Sequence, residues 1–308
     1  MLGTLKRSDY YLPNGASARG PFALQVTPES AGWTESSLRI ASLEPGQRLT
    51  LETRNDEYIV IPLAGSATVA NGAGTYTLKG RKSVFTGPSD FVYVGRDSKF
   101  TLSTETGGRI ALCGARAKNK LPMRYVAAED VAVELRGAGN CSREVRNFGT
   151  ADAFEADSLI ACEVVTPGGN WSSYPSHKHD EETEVESSLE EIYYFEISAA
   201  DPGDGSFTGA VDTSGQGFGY QRVYGTKERP IEVLEEVRTG DAVLIPHGYH
   251  GPSVAAPGHH MYYLNVMAGP GEVRAWKITD DPQHTWIRGT WDNQTVDPRL
   301  PFRPNSGE

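Results

Sequence analysis

From Ser37 to Ser103 the chain is a procession of short apolar runs broken by turn residues, and that rhythm limits the fold more than any other feature. S-L-R-I-A-S-L is followed by Glu44-Pro45-Gly46-Gln47, then R-L-T-L-E-T, E-Y-I-V-I-P-L-A-G, S-A-T-V-A, Asn71-Gly72, T-Y-T-L, F-V-Y-V and K-F-T-L-S-T. Asn-Gly between two such runs is the strongest short hairpin signal. A spacing of roughly eight to ten residues leaves no room for long helices and predicts a β-sandwich or small barrel. The 34 glycines, 19 prolines and 14 tyrosines agree with strands joined by turns.

The 308 residues suffice for one large or two medium domains with a buried core. The strand rhythm fails between 114 and 150, where G-A-R-A-K-N-K-L-P-M-R and R-G-A-G-N-C-S-R-E-V-R-N are polar and rich in Gly and Arg. The boundary is placed there, giving an N-terminal unit 1–125, with a strand-poor lead-in over 1–35, and a C-terminal unit 126–308. Strands resume with S-L-I-A-C-E-V-V, and a loop is expected around D-P-G-D-G-S. Beyond Trp276 the tail is polar and proline-rich and is expected to wrap over the second unit.

A formal net charge of −11 argues against nucleic acid or an anionic membrane as partner. Cys113, Cys141 and Cys162 are an odd, widely spaced set with no C-x-x-C, which fits a reducing compartment. The N-terminus lacks an apolar leader core and no run approaches a membrane span, so a cytoplasmic location is expected. No dinucleotide or phosphate-binding loop is visible.

The chemistry concentrates in W-S-S-Y-P-S-H-K-H-D, an acidic run, and L-E-E-I-Y-Y-F-E-I. In an extended strand His177 and His179 leave the same face, and two neutral imidazoles on one wall are half of a metal site. Downstream, Glu191, Tyr193, Phe195 and Ile197 form the more apolar face, so Glu191 is expected inward as a third ligand, with Glu190 as the fallback. The run between Asp180 and Glu186 reads as a solvated loop, since so many like charges resist burial. In G-D-A-V-L-I-P-H-G-Y-H, Gly248 permits a tight bend that returns His250 to the mouth, leaving His247 on the rim. His259, His260 and His284 read as packing or surface residues. The first unit carries Glu57 before its own apolar run, but Leu51 and Thr53 stand where the second has His177 and His179, and it has no histidine. One metal, if there is one, belongs to the second unit.

H-x-H, a following Glu and G-x5-P-x-G with a trailing His together resemble the two-motif signature of the cupin superfamily. The spacer from His179 to Glu191 is longer than usual there, and the second motif is one residue shorter. In those departures, and in T-P-G-G-N-W-S-S-Y-P-S-H-K-H-D, L-E-E-I-Y-Y, P-H-G-Y-H-G-P, Y-Y-L-N-V-M-A-G and D-P-R-L-P, the chain resembles the 5-deoxy-glucuronate isomerase family of bacterial inositol catabolism. More distantly it is similar to the ketol-isomerase family of pectin breakdown. The resemblance implies an all-β bicupin of two tandem jelly-roll barrels, the first degenerate and without metal ligands. It also implies one divalent metal ion (Zn, Mn, Fe, Co or Ni) on His177, His179, Glu191 and His250.

Such an ion would polarise adjacent hydroxyl and carbonyl oxygens of an α-hydroxy aldehyde, as aldose–ketose isomerisation requires. The implied substrate is a small sugar acid, 5-deoxy-D-glucuronate, whose carboxylate needs a counter-charge, for which arginine's planar fork is suited. Arg143, Arg146, Arg222 and Lys178 are the candidates, with Arg143 and Arg222 preferred. Tyr262 and the rim His247 are further candidates for substrate contact. No proton-shuttling base stands out. A metal-dependent dioxygenase on the same ligand set and a non-enzymatic sugar-binding bicupin are the competing readings. Sheet edges in such barrels often pair, which allows a homo-oligomer.

Overall fold

The computed structural model describes residues 8–200 and 207–302; the loop expected over 201–206 and the two chain ends lie outside the described residues. Among the described residues, strands form three sheets, of nine, eight and six strands. The nine-stranded sheet runs in the order Arg124–Val126, Phe91–Val94, Asp56–Asn71, Gly108–Arg116, Ser36–Leu43, Phe22–Val26. Its 16-residue strand Asp56–Asn71 serves two layers. The first part pairs with Phe91–Val94 and Gly108–Arg116, and the last part pairs with Gly74–Arg81 and Lys99–Ser103. A register shift between Pro62 and Ala64 marks where the strand leaves one layer for the other.

The hairpin signalled by Asn71-Gly72 is present, with its turn one residue later. Asn71 pairs with Gly74, and its side-chain oxygen accepts from the amides of Ala73 and Gly74 at 2.9 and 3.2 Å. Asn71 therefore closes the turn through its side chain rather than occupying the bend.

In the second half an eight-stranded sheet, which includes Glu190–Ala200, Met261–Ala268, Ile160–Thr166 and Arg143–Gly149, faces a six-stranded sheet. The smaller sheet carries Gly219–Tyr224, Tyr249–Ala255 and His177–Lys178. The architecture is a pair of jelly rolls, and the two sheets of the second half stay separate rather than closing by hydrogen bonds into one barrel. Strand alternation divides the core. Tyr193, Phe195 and Ile197 point between the two sheets, while Ile192 and Tyr194 join Ile40, Ile59 and Ile61 in a cluster shared by both halves.

The halves are clasped reciprocally. The Glu57 carboxylate accepts from the amides of Asp157, Ser158 and Leu159, and the Glu190 carboxylate accepts from the amides of Thr34, Glu35 and Ser36. Between them lies a buried ion network of Arg81 with Glu163 and Arg146 with Glu144. The lead-in also crosses over: Tyr11–Leu12 pairs with Ala242–Ile245 of the second half. No helix among the described residues is long and apolar enough to cross a membrane.

These clasps align the two halves strand for strand. Ile59 and Ile192 sit opposite Cys113 and Val266 in corresponding strand pairs, and Leu38 and Ala161 sit opposite those same two residues. Tyr58 of the first half thereby stands where the second half has Glu191, and Arg39 stands where it has Cys162.

Candidate metal centre

Three strands bring the site together. His177 lies opposite His250 in the antiparallel pairing of His177–Lys178 with Tyr249–Ala255. Glu191 sits in register with Ile245, just before the bend that returns the chain to His250. That bend requires Gly248, which has φ 93° and packs so closely that a Cβ would lie 2.8 Å from the Tyr224 carbonyl oxygen.

The imidazole of His250 lies between the other two, with ring centroids 4.4 Å from His177 and 4.6 Å from His179. One nitrogen from each ring falls within 4.8 Å of the others. The Glu191 Oε2 atom is 3.2 Å from Nε2 of both His179 and His250. All three atoms are buried and none makes a hydrogen bond. Buried polar atoms left unpartnered and aimed at one another are costly. A cation among them would remove that cost, and three imidazoles with one carboxylate suit a divalent ion.

The electrostatics agree. Burial, then the charge of His179, pushes His177 down to about 3, and burial with both neighbouring imidazoles pushes His250 well below the ordinary range. Both rings are therefore neutral at pH 7, the form that ligates. For His179 burial also opposes charge, but the adjacent Glu191 carboxylate outweighs it and raises the group. Burial raises Glu191, with His179 and Asn265 pulling the other way. The supports are equally specific. His250 Nδ1 is 3.1 Å from the Gly248 carbonyl oxygen; the tautomer that donates there turns its Nε2 lone pair into the site. Asn265 Nδ2 donates to Glu191 Oε1 at 2.8 Å.

Beside the cluster opens a cavity of about 270 Å³ that reaches His177 and Asn265. Tyr193 and Tyr263 stack along one wall with centroids 4.8 Å apart. Arg136, Arg143 and Arg288 reach the cavity from three segments. Arg136 is paired with Glu134 and Arg288 with Asp280 through two hydrogen bonds. Arg143 is only 6 % exposed, donates Nη1 to the Cys141 carbonyl at 3.0 Å and lies over the Trp291 ring. No carboxylate among the described residues forms an ion pair with it. Burial pushes its guanidinium down to about 10, so it stays charged at neutral pH.

The other expected residues are placed as follows. Glu190, the fallback ligand, points away from the histidines into the inter-half clasp. His247 stands outside the cavity wall with its Nε2 unpartnered. Arg222 lies over Tyr224 on the outer face of its strand, since Gln221 and Val223 take the inner face. Tyr262 also faces away and donates its hydroxyl to Glu163 at 2.8 Å, within the inter-half network. Arg146 is wholly buried in that network. Lys178 is held at 2.9 Å by both Asp180 and Glu186. That contact also corrects the picture of a uniformly solvated acidic loop: Glu186 is 3 % exposed and accepts from the amides of Asp180 and Glu181, while Glu181, Glu182 and Glu184 remain in solvent. A lysine and two amides make that burial tolerable.

Tyr263, Asn265, Arg136 and Arg288 line the cavity without having been singled out in the sequence, and Tyr193 reaches it as a member of the inward face that carries Glu191. A lone Asn inside Y-Y-L-N-V-M was a usable signal. Its parity assigns Tyr263, not Tyr262, to the same face. Arg136 and Arg288 carried no signal, because they come from segments far apart in the chain.

Residues 10–287 match the family model described as the KduI/IolB family. The 5-deoxy-glucuronate isomerase of Geobacillus kaustophilus is 41% identical over 267 residues, covering 86% of this chain and 90% of that relative. The enzyme of the same name from Bacillus subtilis strain 168 is 38% identical over 266 residues, covering 85% and 91%. The crystal structure of an IolB-like protein from Salmonella typhimurium matches with a TM-score of 0.80 at 32% identity, covering 91% of this chain and 99% of that one. Oxalate decarboxylase from Lactobacillus farciminis, at TM-score 0.60 and 12% identity over 90% and 89% of the two chains, shares the fold alone.

Proposed function

This chain belongs to the KduI/IolB family, and from that premise we propose that it is a 5-deoxy-glucuronate isomerase, converting 5-deoxy-D-glucuronate to 5-dehydro-2-deoxy-D-gluconate. The reading rests on one observation above the others: the orphaned His179, His250 and Glu191 atoms adjoin a cavity holding one uncompensated arginine. His177, His179, Glu191 and His250 would hold a divalent first-row cation, whose Lewis acidity would make the hydrogen on the hydroxyl-bearing carbon next to the carbonyl acidic. Arg143 is assigned to the substrate carboxylate, with its remaining donors available to a planar oxyanion. Arg136 and Arg288, neutralised by Glu134 and Asp280, border the same space without adding net charge. The Tyr193–Tyr263 stack presents flat apolar faces that exclude water from the reacting carbons.

Proton NMR of the purified chain with 5-deoxy-D-glucuronate in D2O follows the isomerisation and any exchange of the transferred hydrogen together. Product should form, and both turnover and bound metal should disappear on His179→Ala or Glu191→Ala. Full activity in a variant shown to be metal-free would overturn the ligand assignment, and absence of product with metal bound would overturn the substrate.

A further inference from the structure

The first half lacks the metal ligands, yet its mouth is not a sealed relic. With Tyr58 in the place of Glu191 and Arg39 in the place of Cys162, a guanidinium occupies the inner wall of the first jelly roll beside the counterpart of the carboxylate ligand. Arg39 Nη1 donates to the Tyr58 hydroxyl at 2.8 Å, and that hydroxyl donates onward to Asp56 at 3.2 Å. The guanidinium is flanked by the Phe22 and Tyr58 rings, 5.9 and 5.4 Å away. Around it opens a cavity of about 600 Å³.

Charge in this cavity is not balanced. Arg39, Arg54, Lys99 and Arg116 line it, against Glu29, Glu52 and Asp56. Arg116 is committed to Asp56 and Glu29, and Lys99 lies 3.7 Å from Glu52. Arg39 lines this cavity, forms no ion pair with a carboxylate of the described residues, and among them the Tyr58 hydroxyl is its one hydrogen-bond acceptor. A second polar group waits there: Ser37 lines the same cavity, is 2 % exposed, and its hydroxyl has no hydrogen-bond partner. An unpaired hydroxyl buried beside an unmatched guanidinium is an arrangement that a bound oxyanion would complete.

We infer that the mouth of the first jelly roll binds a small hydroxylated monocarboxylate, with Arg39 holding the carboxylate and Ser37 contacting it. The excess of one positive charge suits a monoanion, and the exposed Thr50 hydroxyl at the rim suits a polyol chain. This site would work without a metal and independently of the cavity in the second half.

The test uses the full chain and D-glucuronate as probe. Phenylglyoxal modifies accessible arginines, and peptide mass spectrometry reads each position separately. At four times its Kd, D-glucuronate should slow modification of Arg39 about fivefold, following 1 + [L]/Kd. Arg48, exposed on the same half, should react at an unchanged rate, and uncharged D-glucose should protect neither. Equal rates at Arg39 with and without D-glucuronate would overturn the inference, as would equal protection by D-glucose. Failure of Arg39 to react in the ligand-free chain would do the same, because a mouth open to a sugar acid is open to phenylglyoxal. Protection at Arg143 reports the second-half cavity, so the two readings stand or fall separately.

Discussion

Replacing Arg143 by Met should make the protein more stable and a poorer catalyst in the same step. Burial pushes this guanidinium from 12.5 down to about 10. At about 1.4 kcal/mol per pKa unit, keeping it charged in place costs the fold about 3 kcal/mol. The methionine side chain follows the same stem and fills most of its volume. The variant gives up one hydrogen bond, from Nη1 to the Cys141 carbonyl, worth about 1 kcal/mol, and the cation–π contact with Trp291, worth about 0.5–1 kcal/mol. The balance favours the variant by about 1–2 kcal/mol, which for a chain of this size is a rise in Tm of a few degrees. For the substrate the sign reverses. Losing a buried charge-assisted contact to its carboxylate should cost about 2–4 kcal/mol, a fall in kcat/KM of about 10²-fold, carried mainly by KM. Scanning calorimetry and steady-state turnover, on samples of equal metal content, read the two effects separately. A less stable variant with unchanged kcat/KM would refute both the charge argument and the assignment of the carboxylate.

Three further outcomes are expected. Asn265→Ala removes the donor to Glu191 Oε1, so metal affinity should fall about 10- to 100-fold while the fold persists; competition with a chelator measures it, and unchanged affinity would show that Glu191 needs no such support. Glu163→Leu strips Arg81 of its buried partner and should destabilise the chain by about 3–5 kcal/mol in urea unfolding, a loss that Arg81→Met should relieve in the double variant; additive losses would mean the two residues do not act as a pair. The Asp297 carboxyl is held down to about 2, chiefly by the Arg299 side chain, and also accepts from Asn170. Because its folded pKa lies below the ordinary carboxylate value, the stability it contributes is complete above about pH 4 and is lost as pH falls toward 2. Pepsin should therefore begin to cut the tail within that window, whereas Asp297→Asn should be cut at the top of it; identical profiles would remove Asp297 from the anchoring of the tail.

Much of the architecture is legible in the chain. The period-2 apolar runs and turn residues specify strands locally, and the Glu191–Tyr193–Phe195 parity is fixed because a one-residue slip would turn the whole apolar face to solvent. Spacing and face likewise single out His177, His179 and Glu191, whereas His250 depends on the bend that Gly248 permits and the full set of four on the family resemblance. Arg222 and Tyr262 show where this reasoning stops. Tyr262 sits on a strand buried on both faces, and Arg222 on one whose inner face carries Gln221 and whose outer face carries Tyr220 and Tyr224, so composition did not say which face met the cavity. Tyr262 serves the seam between the halves, and its neighbour Tyr263 serves the cavity.

By itself, then, the sequence determined the β architecture, the repeat of one design in two halves and the side chains able to grip a cation, since all of these depend on neighbours within a few residues. Only the tertiary structure decided which arginine remains unmatched, that Asn265 steadies Glu191, and that Arg39 faces an open mouth in the first half. Charge compensation and cavity walls depend on groups brought together from distant segments, such as Arg136, Arg143 and Arg288, and no local pattern encodes those meetings.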